Sequence, residues 1–438
     1  MEKIVISNPF VIVFVCGTLL SFLINHFLEF IDWRARVKSG GKLPEELKEI
    51  PEAAVFDEEK LAKISSYENA KYFFWIPRSV VALLVTIALV FTGFYPWLFM
   101  KICRITGFPG GYWSTYFCAL IFFVLSGLPE SIIDIPFSLY KEFVIEKKFG
   151  FSKMTPALWL VDFAKELVMG FVLSAVLLAA MIGILVAFPH GWWIFLTVVI
   201  FAFTLVMQVL YPLVIAPMFN KFTPLEDGEL KTRITNLMEN LGFKASGIFV
   251  MDASKRSGHS NAYFGGMGKS KRIVLYDTLI NQLTTDELVA VLGHELGHYK
   301  LHHIIRRFLV MVPVEFILMF VLYKISQVQS LYTGFGFPFE SIANISSVQF
   351  VGLFLANLIA SSLNELVSPA VNFSSRKDEY AADKFSANLT KHPEHLISGL
   401  VKLNSENLSE LLPPKFYVFW NYNHPTLIER IEALKKLK

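Results

Sequence analysis

Apolar residues gather in seven long runs, at about 8–30, 79–100, 113–135, 167–188, 192–216, 308–327 and 348–371. Each is close to the ~20 residues a helix needs to cross the hydrocarbon of a bilayer. The pattern predicts seven membrane helices. The first run begins near Met1, but it is too long for a signal-peptide core and lacks a strongly basic flank, so it reads as a true span. Only Pro189, His190 and Gly191 separate the fourth run from the fifth, which predicts a tight turn with Trp192 and Trp193 at the membrane interface. Two mixed segments, about 217–307 and 372–438, are large enough to hold structure outside the bilayer.

In the first of these, Leu230, Ile234, Leu237 and Leu241 recur at helical spacing within 228–242. Residues 247–251 then read as a short strand. Residues 261–264 and 272–276 read as the arms of a hairpin, joined by a glycine-rich turn over 265–270. The turn ends in Gly268, Lys269 and Ser270, but Tyr263 stands where a phosphate loop needs its first glycine. Thr284 and Glu287 fit a capping box at the start of a helix whose apolar stripe is Leu288, Val291, Leu292 and Leu296. This helix is expected to continue through His302, His303, Arg306 and Arg307 into the sixth span.

Composition strengthens the membrane reading. The chain of 438 residues is 54% hydrophobic with a mean hydropathy of +0.50, and its 18% charged content is below that of soluble domains. A net charge of +3 is too small for a nucleic-acid binder. Cys16, Cys103 and Cys118 make neither a disulfide framework nor a Cys-x-x-Cys metal site. Lys and Arg number nine, two, five, none, twelve, one and ten in the segments after successive spans. High and low alternate, so the segments after spans 1, 3, 5 and 7 are expected in the cytoplasm and the N-terminus on the far side.

The chemistry centres on His294-Glu295-Leu296-Gly297-His298. Histidines four apart on a helix share a face and can bind one metal ion, and imidazole suits zinc. Glu295 can reach a water on that metal, whose pKa zinc lowers to about 7, and take its proton during attack on a carbonyl. A catalytic zinc takes three protein ligands. The extended motif with a third histidine is absent, because Leu301 and Ile304 fill the required places. Glu379 and Asp383, at i and i+4, are candidates: one can bind zinc while the other orients a ligand histidine. Glu365, a carboxylate within the seventh run, is their rival. His302 reads as a solvated helix residue. An exposed strand edge beside such a site commonly holds an extended substrate.

Several motifs in register resemble the type I CAAX prenyl endopeptidases, integral-membrane zinc metalloproteases. They are 294–298, Ser375 to Asp383, Asn423-His424-Pro425 followed by Glu429-Arg430, Ser260 to Phe264, Lys271 to Asp277, and Ala216 to Leu225. The resemblance covers nearly the whole chain. It implies a mainly α, polytopic fold: seven transmembrane helices with a zincin-like α+β metalloprotease domain built from two cytoplasmic segments. Residues 1–216 would hold helices 1–5 and 308–371 helices 6–7; 217–307 would carry the motif helix and 372–438 complete the zinc site. It implies one Zn2+ held by His294, His298 and Glu379, with Glu295 activating water and Asp383 behind the ligands. Asn261 would hold substrate backbone. His424 and Arg430 would stabilise the transition state or bind the substrate's C-terminus. The spans would enclose a water-filled chamber with zinc near its cytoplasmic end.

The expected activity is membrane-embedded zinc endoproteolysis, removing C-terminal residues from prenylated CAAX proteins or cutting membrane-associated polypeptides. The expected partners are a protein or peptide substrate, with or without a prenyl group, and the lipid bilayer. The location would be a bacterial inner membrane or, in a eukaryote, the endoplasmic reticulum or nuclear envelope. A seven-span transporter or receptor with a structural zinc is the alternative, and four protein ligands would mark it.

Overall fold

The structure, a computed structural model, describes residues 3–39, 41–243, 246–266, 271–338 and 345–437. Six helices are long and apolar enough to cross a membrane: Pro9–Ser39, Glu58–Phe91, Tyr112–Phe149, Pro156–Ala187, Trp192–Phe219 and His303–Ser326. A pair of helices bent by 65°, Val348–Ser362 and Asn364–Thr390, passes the same test together and makes a seventh when counted as one span. The chain is a polytopic, mainly helical membrane protein with a small sheet beside the bundle.

Three elements depart from the expected pattern. The second span begins earlier and stops earlier than 79–100. Gly93, at φ +71, lies just past its end, and left-handed glycine is a common helix stop. Phe94–Thr106 then forms a separate helix whose Tyr95, Phe99 and Ile102 are buried. The seventh span breaks at Leu363, and the carbonyl of Ser362 accepts a 2.7 Å hydrogen bond from Ser21 Oγ of the first span. Pro369 follows one turn into the second half, where it removes a further helical bond. Lastly, the motif helix does not run on into the sixth span. It covers Thr285–Lys300, and His303–Ser326 is a new helix entered through His302 at φ +57.

The sheet has the order β1-β2-β4-β3, with β1 Phe222–Pro224, β2 Ile248–Met251, β3 Ala262–Gly265 and β4 Arg272–Tyr276. β2 and β4 run parallel, and β3 pairs antiparallel with β4 in the register Ala262↔Leu275. The expected hairpin is present, and residues 267–270 of its turn lie outside the described residues. β3 is an edge strand among the described residues.

The motif helix starts on the expected capping box: Thr284 N donates to Glu287 Oε2 at 2.8 Å, and Glu287 N donates to Thr284 Oγ1 at 3.4 Å. Its Leu288, Leu292 and Leu296 pack with Ile234 of the helix Glu229–Asn240 and with Ile273 and Leu275 of β4. Its opposite face carries Gly293 and Gly297. A Cβ on Gly297 would lie 3.1 Å from Ala382 Cα, and one on Gly293 would lie 2.9 Å from Ser386 Oγ. Two small residues one turn apart on each helix thus let the backbones of Thr285–Lys300 and Asn364–Thr390 approach closely. Ser386 Oγ fastens the contact by donating to the Ala290 carbonyl at 2.6 Å. The C-terminal helices Pro393–Glu406 and Leu427–Lys435 share a core with Leu47, Phe56 and Ile64, so the segment after the first span packs beneath the site.

Candidate active site

That close approach sets Glu379 opposite the two motif histidines. His294 Nε2 lies 3.2 Å from His298 Nε2 and 3.3 Å from Glu379 Oε2. His298 Nε2 lies 3.3 Å from Glu379 Oε1. Bonds of ~2.0–2.1 Å to a tetrahedral zinc place neighbouring ligand atoms about 3.3 Å apart, so the spacing fits that ion. Glu379 Oε2 is buried and has no hydrogen-bond partner among the described residues, which leaves a lone pair for a cation. Three side chains converge here, the number a catalytic zinc takes.

The Nδ1 side of His294 is held separately. Asp383 Oδ1 lies 2.7 Å from His294 Nδ1, and Arg430 grips the same carboxylate with Nε at 2.8 Å and Nη2 at 2.6 Å. The Asp383 carboxylate fixes the His294 proton on Nδ1 and leaves Nε2 free to bind a cation. Arg430 was expected to meet substrate; its nearest partner is Asp383, although it also lines the cavity in front of the metal ligands. Glu365, the rival ligand, is taken elsewhere: Trp420 Nε1 donates to its Oε1 at 2.7 Å.

The cavity is ≈ 130 Å³, and Asn261, Ala262, Glu295, Glu379, His424 and Arg430 are among its walls. Ser260, Asn261 and Ala262, leading into β3, form one wall beside His294 and Glu379. The Asn261 carbonyl accepts from Tyr276 N at 3.1 Å, which ties the residue to β4. His424 stands half-exposed at the rim, with Nε2 3.6 Å from Glu379 Oε1. Its loop is secured from the Glu379 helix by Asn372 Nδ2, which donates to the Trp420 carbonyl at 2.6 Å, and by Arg376 Nη1, which donates to the Val418 carbonyl at 3.2 Å.

The electrostatics suit a cation and a proton carrier. Burial opposes charging His294, but the Asp383 and Glu379 carboxylates outweigh it and hold its pKa up at about 9. A pocket that draws a proton this strongly draws a metal cation for the same reason. Burial pushes Glu295 above the ordinary glutamate range, although the neighbouring histidines pull the other way. Burial also lowers His424.

Some contacts had no signature in the spacing of site residues. His303 Nδ1 lies 3.0 Å from His298 Nδ1, while His302 is exposed at the turn between helices. The glycine pair was visible in principle, because Gly293-x3-Gly297 is matched by Ala382-x3-Ser386. A second group, His392, Glu394 and His395, lies at the start of Pro393–Glu406. Its histidine rings stack at 24° with centroids 5.0 Å apart, and His392 Nδ1 lies 2.8 Å from Glu394 Oε1.

Comparison with known proteins bears on the whole chain. Residues 34–221 match the family described as CAAX prenyl protease N-terminal, five membrane helices, and residues 224–438 match peptidase family M48. The CAAX prenyl protease 1 homolog of Oryza sativa subsp. japonica is 35% identical over 98% of this chain and 97% of its own length. CAAX prenyl protease 1 of Saccharomyces cerevisiae is 37% identical over 73% of each chain. The crystal structure of S. mikatae Ste24p superposes with a TM-score of 0.87 at 31% identity, over 97% of this chain and 99% of that one.

Proposed function

Because the chain belongs to peptidase family M48, with the five-helix CAAX prenyl protease N-terminal family preceding it, it is a membrane metalloprotease, and we propose that it removes C-terminal residues from prenylated CAAX proteins at a zinc centre facing the cytoplasm. The observation that carries the reading is one small cavity lined by Glu295, His294, Glu379 and Ala262 of β3, with His298 completing the candidate ligand group beside it. The curated relatives named above are CAAX prenyl proteases, which supports this substrate class. The alternation of Lys and Arg between successive segments supports the cytoplasmic placement.

His294, His298 and Glu379 would hold the zinc, which when bound acidifies water and polarises a carbonyl. The substrate's C-terminal segment lies extended along β3 and adds one strand to the sheet, with Asn261 at the start of that edge. Glu295 accepts the proton of the attacking water and then delivers it to the departing amide nitrogen. Its burial raises its proton affinity above that of an ordinary glutamate, which suits a group that first takes and then returns a proton. His424, at the rim, stands where its imidazole can meet the oxygen that gains charge in the tetrahedral transition state. Arg430 holds Asp383 and through it His294, and its cavity-facing side attracts the substrate's terminal carboxylate.

The test is cleavage of matched prenylated and unprenylated CAAX peptides by the purified protein, with the cut mapped by mass spectrometry. The expected result is a cut after the prenylated cysteine, and at least a 10³-fold loss of rate in Glu295→Gln with zinc still bound. Equal cleavage by Glu295→Gln would overturn the mechanism. Equal cleavage of both peptides would overturn the substrate class.

A further inference from the structure

Each ligand histidine has a second ring nitrogen, and the structure treats the two differently. That of His294 meets Asp383 directly, with Arg430 behind it. That of His298 meets another histidine: His298 Nδ1 and His303 Nδ1 lie 3.0 Å apart, with the rings inclined at 73°. Two imidazole nitrogens at this distance form a hydrogen bond only if one carries a proton and the other a lone pair. His298 commits Nε2 to the ligand triangle, so its proton resides on Nδ1. His298 is therefore the donor and His303 Nδ1 the acceptor. The proton of His303 then lies on Nε2, the atom that faces Asp378 Oδ1 at 3.7 Å. His303 is 3% and Asp378 1% exposed, so water does not compete for these contacts. Asp378 is in turn gripped by Arg306 and by Arg307 Nε at 3.1 Å.

The backbone makes this contact possible. On an unbroken helix, residue 303 would point roughly 140° away from residue 298. His302 adopts φ +57, in the left-handed region, and begins a new helix whose first residue returns to His298. Left-handed backbone at a residue other than glycine is uncommon and persists where surrounding contacts enforce it.

We propose that His303 is a positioning residue for the metal centre: it accepts the Nδ1 proton of His298, thereby setting that ligand's tautomer and ring orientation, and is itself oriented by Asp378 under the hold of Arg306 and Arg307. The two ligand histidines thus have parallel supports. One runs from His294 through Asp383 to Arg430. The other runs from His298 through His303 and Asp378 to two arginines in the first turn of the sixth span.

The inference rests on the reading of His298 as a metal ligand, and the test separates the two. Full-length protein in detergent is loaded with zinc, and its affinity is read by competition with a chromophoric chelator. The visible spectrum of the cobalt-substituted protein is recorded in parallel. His303→Leu is expected to weaken zinc by about 10- to 100-fold and to shift the cobalt bands. His303→Asn is expected to restore most of both, because its side-chain oxygen can accept the same proton. Asp378→Asn is expected to change both in the direction of His303→Leu, by less. In turnover, kcat falls in His303→Leu while KM changes little. Should His303→Leu bind zinc as tightly as the wild type with an unshifted cobalt spectrum, the positioning role falls and the metal reading stands. If the wild type takes up no stoichiometric zinc, or His298→Ala takes it up equally well, the metal reading falls and the positioning role with it.

Discussion

Asp383 holds two groups of opposite need. It takes the imidazole proton of His294 at 2.7 Å and two hydrogen bonds from Arg430, and it is 1% exposed. Replacing Asp383 by Asn removes the charge that Arg430 requires and leaves a buried guanidinium unpaired beside a cation site. The expected outcome is a zinc affinity lower by about 10- to 100-fold and a matching fall in kcat, read by chelator competition and steady-state kinetics. Wild-type affinity in Asp383→Asn would contradict this account. At this scale the sequence was partly legible. The spacing of Glu379 and Asp383 announced a pair on one helical face, but not which of them meets metal. The crossing of the two helices separates their positions: Glu379 faces both Nε2 atoms, while Asp383, one turn on, reaches only the Nδ1 of His294. Glu365 could not be discounted from sequence either, since its partner Trp420 comes from a distant helix.

Two helices build the ligand triangle, and small residues set their separation. The Gly297 position is the tighter one for a side chain, because its obstacle is the Ala382 backbone at 3.1 and 3.2 Å, which cannot swing away. At Gly293 the nearest atom is the end of the Ser386 side chain, which can rotate at the expense of its bond to the Ala290 carbonyl. Gly297→Ala is therefore expected to part the helices by a few tenths of an ångström, lower zinc affinity at least tenfold and reduce kcat. Gly293→Ala is expected to act mainly on stability, by about 1–2 kcal/mol through the hydrogen bond it disturbs. Thermal unfolding and zinc titration of both variants check the order; equal zinc affinities would refute it. The capping box was legible because its determinants, Thr284 and Glu287, lie three residues apart. The turn at His302 was not, because a histidine does not announce left-handed backbone as a glycine does at Gly93.

Over the whole molecule, the candidate metal ligands come from the helix before the sixth span and from Asn364–Thr390, the second helix of the bent pair. Their meeting requires both stretches on one face of the membrane, and the alternation of Lys and Arg supports the proposed cytoplasmic side. In sealed vesicles with the cytoplasmic face outward, single cysteines at the exposed Glu46 and Lys436, in a background lacking the three native cysteines, should react with an impermeant maleimide. One at the 189–191 turn should react only after permeabilisation; the reverse pattern would invert the topology. The six unbroken spans were legible because apolar length is a local property of the chain. The break at Leu363 was not: its run carries no glycine or proline at that point, and the freed carbonyl of Ser362 is met by Ser21 from the opposite end of the sequence.

That bend makes the helix Asn364–Thr390 a lever with its fulcrum in the membrane. Sixteen residues separate Leu363 from Glu379, an arm of about 24 Å, so a tilt of about 5° would carry the carboxylate roughly 2 Å. The ligand atoms it must meet are 3.3 Å away. The Trp420–Glu365 and Ser21–Ser362 bonds pin the short end of the arm, and the Gly297–Ala382 contact pins the long end. A tilt of this helix within the bilayer would move Glu379 against the histidines, so turnover should depend on lipid acyl length more steeply when either pin is cut.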